Sequence, residues 1–324
     1  MQANRIIISR TDGIGDVILT LPLCGALKQL LPQCKIGFLG RSYTQEIISG
    51  CKHVDEFLDW DKVKDNMHLL SQWNADTIFH VFPRKEILKL AKKAKIPSRI
   101  GTMRRWSAIG LINKPLFFSR KKSQLHEAQL NLKMLSVLGL KSSWSLSEIP
   151  LLYGFTSQEK LKAEWVIKDR TVVLHPMSHG SAIEWPIEKY SELASLLLND
   201  GFQVAISGTQ KERDAIGTAM NWSHPKLIDL GGQLSLGELL TYLGHSKAVV
   251  AASTGPLHMG AALGIRALGL YSPKRPIFPT RWAPLGTKAG YLVSESHPLD
   301  GKLPFSVDKV FTSLMELLDE ETSN

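Results

Sequence analysis

Twice along this chain, short β-branched runs alternate with amphipathic helical patterns. In the first half the strand candidates are residues 5–9, 35–39, 77–81 and 99–101, separated by helical patterns at 16–31, 43–49 and 84–93. After a polar stretch ending at Pro150 the pattern restarts. Strands are expected at 171–175, 203–207, 226–229, 248–252 and 267–271, with helices at 187–199, 211–220, 236–244 and 256–263. Such alternation implies parallel sheets covered by helices on both faces. The expected fold is α/β, with two Rossmann-like doubly wound domains at 1–152 and 153–324. Each binds ligand at the carboxyl ends of its strands. A last helix near 307–318 is expected to pack back on the first domain. Pro22, inside the first helical window, is expected to kink that helix or delay its start. A further helix at 124–138 ends at Gly139, a suitable C-cap.

Composition narrows the class of function. No apolar run approaches the ~18 residues of a membrane span, and the apolar stretch 6–8 is too short for a signal-peptide core. Three cysteines, at 24, 34 and 51, have no metal spacing and fit a reducing cytoplasm. Lys and Arg number 39 against 30 Asp and Glu, a formal charge of +9. That surplus favours polyanionic partners: nucleic acid, anionic lipid or phosphorylated substrates. No nucleic-acid-binding module is recognised. Local basic clusters, including Arg104-Arg105 and Arg120-Lys121-Lys122, fall between 84 and 122 and read as a solvated surface or a docking face.

The first strand runs into Thr11-Asp12-Gly13-Ile14-Gly15-Asp16. Glycines there permit a tight turn beside a ligand, and Asp16 reads either as a cleft carboxylate or as a helix N-cap. The dinucleotide fingerprint fails at Ile18, and Arg41 stands where an acid would follow the second strand, so only a weak NADP reading survives. A Walker-type loop is absent. In the second half, Ser253-Thr254-Gly255-Pro256 precedes a helix carrying His258 in its first turn, a strong start signal and an anion-binding end. The same stretch, Ala251-x-Ser253-x-Gly255, imitates a hydrolase elbow but lacks the acid and histidine that should follow. The loop from His175 to Ser181 leaves the first strand of that half, and Glu184-Trp185-Pro186 opens the next helix.

In order, these segments resemble glycosyltransferase family 9, the heptosyltransferase family of lipopolysaccharide synthesis. The matching pieces are Gly15-Asp16 with Leu21-Pro22, His126-Glu127 with Asn131, His175-Pro176, Trp185-Pro186, Gly208, Ser253 to His258, and Leu270-Tyr271-Ser272-Pro273. The resemblance implies the GT-B fold, two Rossmann-like domains facing a cleft, and an inverting, metal-independent transferase. A nucleotide-sugar, most readily ADP-heptose, is the co-substrate, with no further cofactor and no metal. Asp16 matches the family's catalytic base. Ser178, Ser181, Glu184, Glu212, Ser253, Thr254, Gly255 and His258 are the expected donor contacts. Gly13, Gly15, Arg104 and Arg105 are the expected acceptor contacts. The acceptor is a lipid-linked anionic glycan of the lipopolysaccharide core or a related one. That places the protein in the cytoplasm, peripheral on the inner face of the inner membrane and touching its surface. Two departures bear on the donor: Ile183 replaces a lysine two places before Trp-Pro, and Ser253 replaces an acid. The alternatives are a non-catalytic nucleotide-sugar-binding protein and an NADP-dependent oxidoreductase.

Overall fold

The computed structural model describes residues 3–103, 108–156, 161, 165, 167, 170–275, 278–295 and 301–319. The chain divides into two units, Met1–Thr156 and Ser157–Asn324. The boundary falls a few residues beyond the expected 152. Phe155 still pairs with Cys51, and Lys52 donates to the Gly154 carbonyl at 2.9 Å, which ties this segment to the first unit.

The first unit carries one parallel sheet of six strands: β1 (Arg5–Ser9), β2 (Lys35–Gly40), β3 (Glu56–Asp59), β4 (Thr77–His80), β5 (Ser98–Thr102) and β6 (Lys114–Leu116), in the order β3-β2-β1-β4-β5-β6. The second unit repeats it with β7 (Thr171–His175), β8 (Gln203–Ile206), β9 (Leu227–Asp229), β10 (Ala248–Ala252), β11 (Arg266–Tyr271) and β12 (Ala289–Val293), ordered β12-β11-β10-β7-β8-β9. Counted from its own first strand, each sheet runs 3-2-1-4-5-6, the Rossmann order. Each order reverses between a pair of neighbours, β1 and β4 in one unit, β7 and β10 in the other. Ligands of doubly wound sheets bind outside the carboxyl ends at that reversal.

The central strands are apolar runs because helices cover both faces of a parallel sheet. Ile6, Ile7 and Ile8 are wholly buried, as are Val249, Val250 and Ala251. Three strands, β3, β6 and β12, were not expected from the sequence. Two of them, Glu56-Phe57-Leu58-Asp59 and Lys114-Pro115-Leu116, are edge segments with no β-branched residue, recruited by pairing with a neighbour. The third, Ala289–Val293, is likewise an edge strand, and none of its residues is fully buried.

The expected helix at 16–31 is two helices, Ile14–Ile18 and Leu21–Leu30, with Thr20 between them and Pro22 in the first turn of the second. Proline lacks the amide that a continuous helix would need there. Within the second helix, Gly25 is forced by packing: a Cβ there would stand 2.0 Å from the Leu152 carbonyl oxygen. The expected helix at 124–138 begins at Glu127, capped by His126, turns 3-10 over Lys133–Leu138 and ends at Gly139 in the left-handed conformation. The last helix, Val307–Asp319, lies against helix Ile187–Asn199 and against β11 and β12 of its own unit, and Val310, Leu314 and Leu318 join that core. Its apolar stripe is taken up within its own unit.

Candidate active site

In the first unit the chain leaves β1 at the sheet reversal and runs through Arg10, Thr11 and Asp12 to Gly13, then enters helix Ile14–Ile18. Gly13 has ordinary extended backbone (φ −70, ψ 163), so its glycine is not required by dihedral angle. A Cβ there would stand 3.4 Å from Asp16 Oδ2, an ordinary van der Waals contact, so that oxygen lies on the Gly13 side. Gly15 is half-buried in the same turn, and its carbonyl accepts from Leu19.

Asp16 does not act as the N-cap considered above; Gly13 holds that position. Its carboxylate belongs to a buried ionic network. The Arg10 guanidinium, almost wholly buried, meets three acids: Nε lies 2.8 Å from Asp12 Oδ1, Nη1 lies 3.1 Å from Glu127 Oε1, and Nη2 contacts Asp16 Oδ1. Glu127, with no exposed side chain, also takes Arg120 Nη1 at 2.5 Å. Arg120 in turn donates to Asn131 Oδ1 and the Val81 carbonyl, both at 2.9 Å. Asn131 donates to the Leu19 carbonyl at 2.9 Å, and Thr20 Oγ1 to the Asp16 carbonyl at 2.8 Å, closing the network on the helix that carries Asp16. Burial raises the Asp16 carboxyl above the ordinary range; Arg10 opposes the rise, and Asp12 and Glu127 reinforce it. About a quarter of the side chain stays exposed. A partly exposed carboxylate with a raised pKa suits a general base. The sequence reading identified Asp16 but missed Arg10, Asp12 and Arg120 as its surroundings. The sequence shows an arginine at 10 and an acid at 12 just beyond the Ile6-Ile7-Ile8 run, but nothing local that names their partners. Arg104 and Arg105 lie outside the described residues.

In the second unit the loops after β7, β8 and β10 meet at the other reversal. Thr254 caps helix Gly255–Leu263 by position only: its side chain makes no capping bond, and its buried Oγ1 has no hydrogen-bond partner. Pro256 lacks an amide hydrogen, and the amides of Gly255 and Leu257 have no partner within the helix. His258 is buried in the first turn, and half-buried Ser253 hydrogen-bonds Tyr271. A buried hydroxyl without a partner beside open helix amides describes an anion site.

The remaining expected donor residues mainly hold the loops. Ser178 is buried; its amide donates to Glu184 Oε1 at 2.8 Å, and its hydroxyl lies 2.9 Å from the same oxygen. Ser181 is exposed and donates back to the Ser178 carbonyl at 2.8 Å. Glu184 Oε2 takes Lys302 Nζ at 2.9 Å. Ile183 packs on the apolar core, so Lys302 is the ammonium that neighbours this loop. Glu212 completes a capping box with Thr209, and its other oxygen lies 3.4 Å from His179 Nε2. His175, its pKa lowered by burial, pairs with Ser207 through Nδ1 at 3.0 Å.

One pattern passed over in the sequence is Asp59-Trp60-Asp61, the Asp-x-Asp spacing of metal-dependent transferases. Its carboxylates cap local structure. Asp59 Oδ1 accepts from the Asp61 amide at 2.9 Å, and Asp61 Oδ2 takes the Ser42 amide and Arg41 Nε, each at 3.1 Å. The Ser42 amide leads the contacts that hold Asp61 at about 2.

The model of glycosyltransferase family 9 (heptosyltransferase) matches residues 89–300. Lipopolysaccharide heptosyltransferase 2 of Salmonella typhimurium is 34% identical over 114 residues, 34% of this chain and 32% of that one. A family 9 glycosyltransferase structure from Veillonella parvula superposes with a TM-score of 0.80 at 19% identity, covering 99% of both chains. The structure of Escherichia coli ADP-heptose lipopolysaccharide heptosyltransferase II gives 0.78 at 22% identity, over 99% of this chain and 100% of that one.

Proposed function

Because the chain belongs to glycosyltransferase family 9, we propose that it moves heptose from ADP-heptose to the lipopolysaccharide core or a related lipid-linked anionic glycan, inverting the anomeric centre without a metal. The weak NADP reading falls away with the family, as does a purely non-catalytic role. The observation that carries the finer reading is the pairing of chemistries at the two sheet reversals: a partly exposed carboxylate in one unit, and an anion site in the other. Asp16 Oδ2 takes the proton of the acceptor hydroxyl as that oxygen attacks the anomeric carbon. The bond from that carbon to the diphosphate oxygen breaks, and the departing ADP carries the electron pair away. Negative charge grows on the leaving diphosphate, where the amides of Gly255 and Leu257, the Thr254 hydroxyl and His258 receive it. Donors fixed at the site of developing charge stabilise it without reorganisation.

The acceptor side belongs to the first unit. Gly13 and Gly15 leave room for the acceptor there, and the basic stretch of sequence that includes Arg104 and Arg105 meets its anionic groups. No helix among the described residues is long and apolar enough to cross a membrane. Phe117, 81% exposed just after β6, and Ile109, 59% exposed, stand in the same stretch as exposed Lys121 and Lys122. Apolar side chains beside lysines suit an anionic bilayer surface, and peripheral attachment to the cytoplasmic face of the inner membrane follows from that reading.

Isothermal titration of ADP and ADP-heptose tests the donor half. Both should bind equally well with and without EDTA. Thr254→Val, which keeps shape and removes only the hydroxyl, should weaken ADP about ten- to a hundredfold, the effect of one hydrogen bond to a charged group at about 1.5–3 kcal/mol. Binding that vanishes with EDTA and returns with magnesium, or a Thr254→Val protein with unchanged ADP affinity, would overturn this site.

A further inference from the structure

We propose that Arg10 is a positioning residue for Asp16, keeping its carboxylate ionised with Oδ2 turned outward, and that buried Glu127 fixes Arg10 in that place. The inference rests on Asp16 being the base and goes one step behind it.

The geometry is specific. Each nitrogen of one guanidinium meets a different carboxylate: Asp12 at Nε, Glu127 at Nη1 and Asp16 at Nη2. Arg10 is nearly wholly buried, so it cannot turn to solvent, and its planar fork holds Asp16 Oδ1 in one direction. The other oxygen, Oδ2, lies on the side of Gly13, which carries no side chain. Glu127 is anchored independently, at the first position of helix Glu127–Leu132 and by Arg120. It therefore places Arg10 from an element distant in sequence, instead of being placed by it.

The charge count adds a functional reason. Among the described residues, three carboxylates (Asp12, Asp16 and Glu127) crowd around two guanidiniums (Arg10 and Arg120). Accepting a proton at Asp16 relieves the like-charge pressure that Asp12 and Glu127 place on it. Tyr43, whose hydroxyl donates to the Asp12 carbonyl at 2.6 Å, also faces this loop, and the Arg41 and Arg84 charges act on it there together with Asp12 and Asp16. Without Arg10, burial and the two like charges would push the Asp16 carboxyl further up, toward its protonated form. Support comes from the opposing effects on Asp16: burial, Asp12 and Glu127 push its pKa up, and Arg10 alone pulls it down.

The test is the pH dependence of kcat and kcat/KM for heptose transfer by the full chain. Wild type should lose activity as pH falls and Asp16 takes a proton. Arg10→Met should move that acid limb upward by about 1–3 pH units, the usual influence of an adjacent arginine on a carboxyl. Arg10→Lys, which keeps the charge but not the three-way fork, should move it less and lower kcat more than it raises KM. Glu127→Gln, which removes a like charge but keeps an acceptor for both arginines, should move the limb downward. Should Arg10→Met fail to fold, the lysine and glutamine variants decide the matter by the opposite directions of their shifts. An acid limb unmoved in folded Arg10→Lys and Glu127→Gln, with only a uniform fall in rate, would overturn the proposal and leave a structural role. Failure of the underlying reading is separate: Asp16→Asn retaining near-wild-type turnover would remove the base itself.

Discussion

Asp16→Asn is expected to reduce heptose transfer by about 10²–10⁴-fold, the usual worth of a positioned general base, with ADP affinity unchanged. Asparagine keeps the shape and can still accept from Arg10, but it cannot take a proton from the acceptor hydroxyl. Stability should not suffer. The substitution removes one of the carboxylates crowded around Arg10 and so relieves like-charge repulsion with Asp12 and Glu127. Relief of the burial that raises the Asp16 pKa should keep the melting temperature at or above that of wild type. A rate loss without a stability loss separates a functional carboxylate from a structural one. Steady-state kinetics and thermal unfolding on the same preparation give both numbers.

The opposite signature is expected one step deeper. Arg120 is a buried guanidinium that holds Glu127, Asn131 and the Val81 carbonyl. Arg120→Met should destabilise the protein by about 3–5 kcal/mol, because a buried carboxylate loses one of its cations in a medium that solvates it poorly. For a unit of this size the melting temperature should fall by on the order of 10 °C. Adding Glu127→Gln should restore part of the loss, since the charge left without its cation goes with it. Thermal and urea unfolding of the two single variants and the double variant measure this coupling. No recovery in the double variant would show that Arg120 acts through packing alone.

Legibility in the sequence followed sequence distance. The central strands were plain because burial on both faces writes an apolar run, and alternation announced doubly wound sheets, though not their strand order, which the pairing shows. Asp16 and the Thr254–His258 helix start were legible because glycine, proline and cap residues act on their immediate neighbours. The edge strands were not, since Glu56–Asp59 and Lys114–Leu116 owe their conformation to a partner strand. The same holds for roles fixed by remote partners. Glu127 lies 117 residues from Arg10 in sequence, and Lys302 lies 118 residues from Glu184. Nothing local announces that Arg10 would carry Asp16, or that Ser178 and Glu184 would hold each other at the loop where donor contacts were expected. Asp59-Trp60-Asp61 teaches the converse: a triplet with the right spacing serves as a helix cap and a ladder for Ser42.

Mass spectrometry of the reaction itself tests the assignment most directly. Purified protein, ADP-heptose and a heptose-deficient lipopolysaccharide core are mixed in EDTA, and acceptor mass and free ADP are followed together. One heptose should be added per ADP released, with inverted configuration at the new linkage and no product from UDP-, GDP- or CMP-linked sugars. Addition of a different sugar from another nucleotide, retention of configuration, or ADP release that leaves the acceptor unchanged would contradict it.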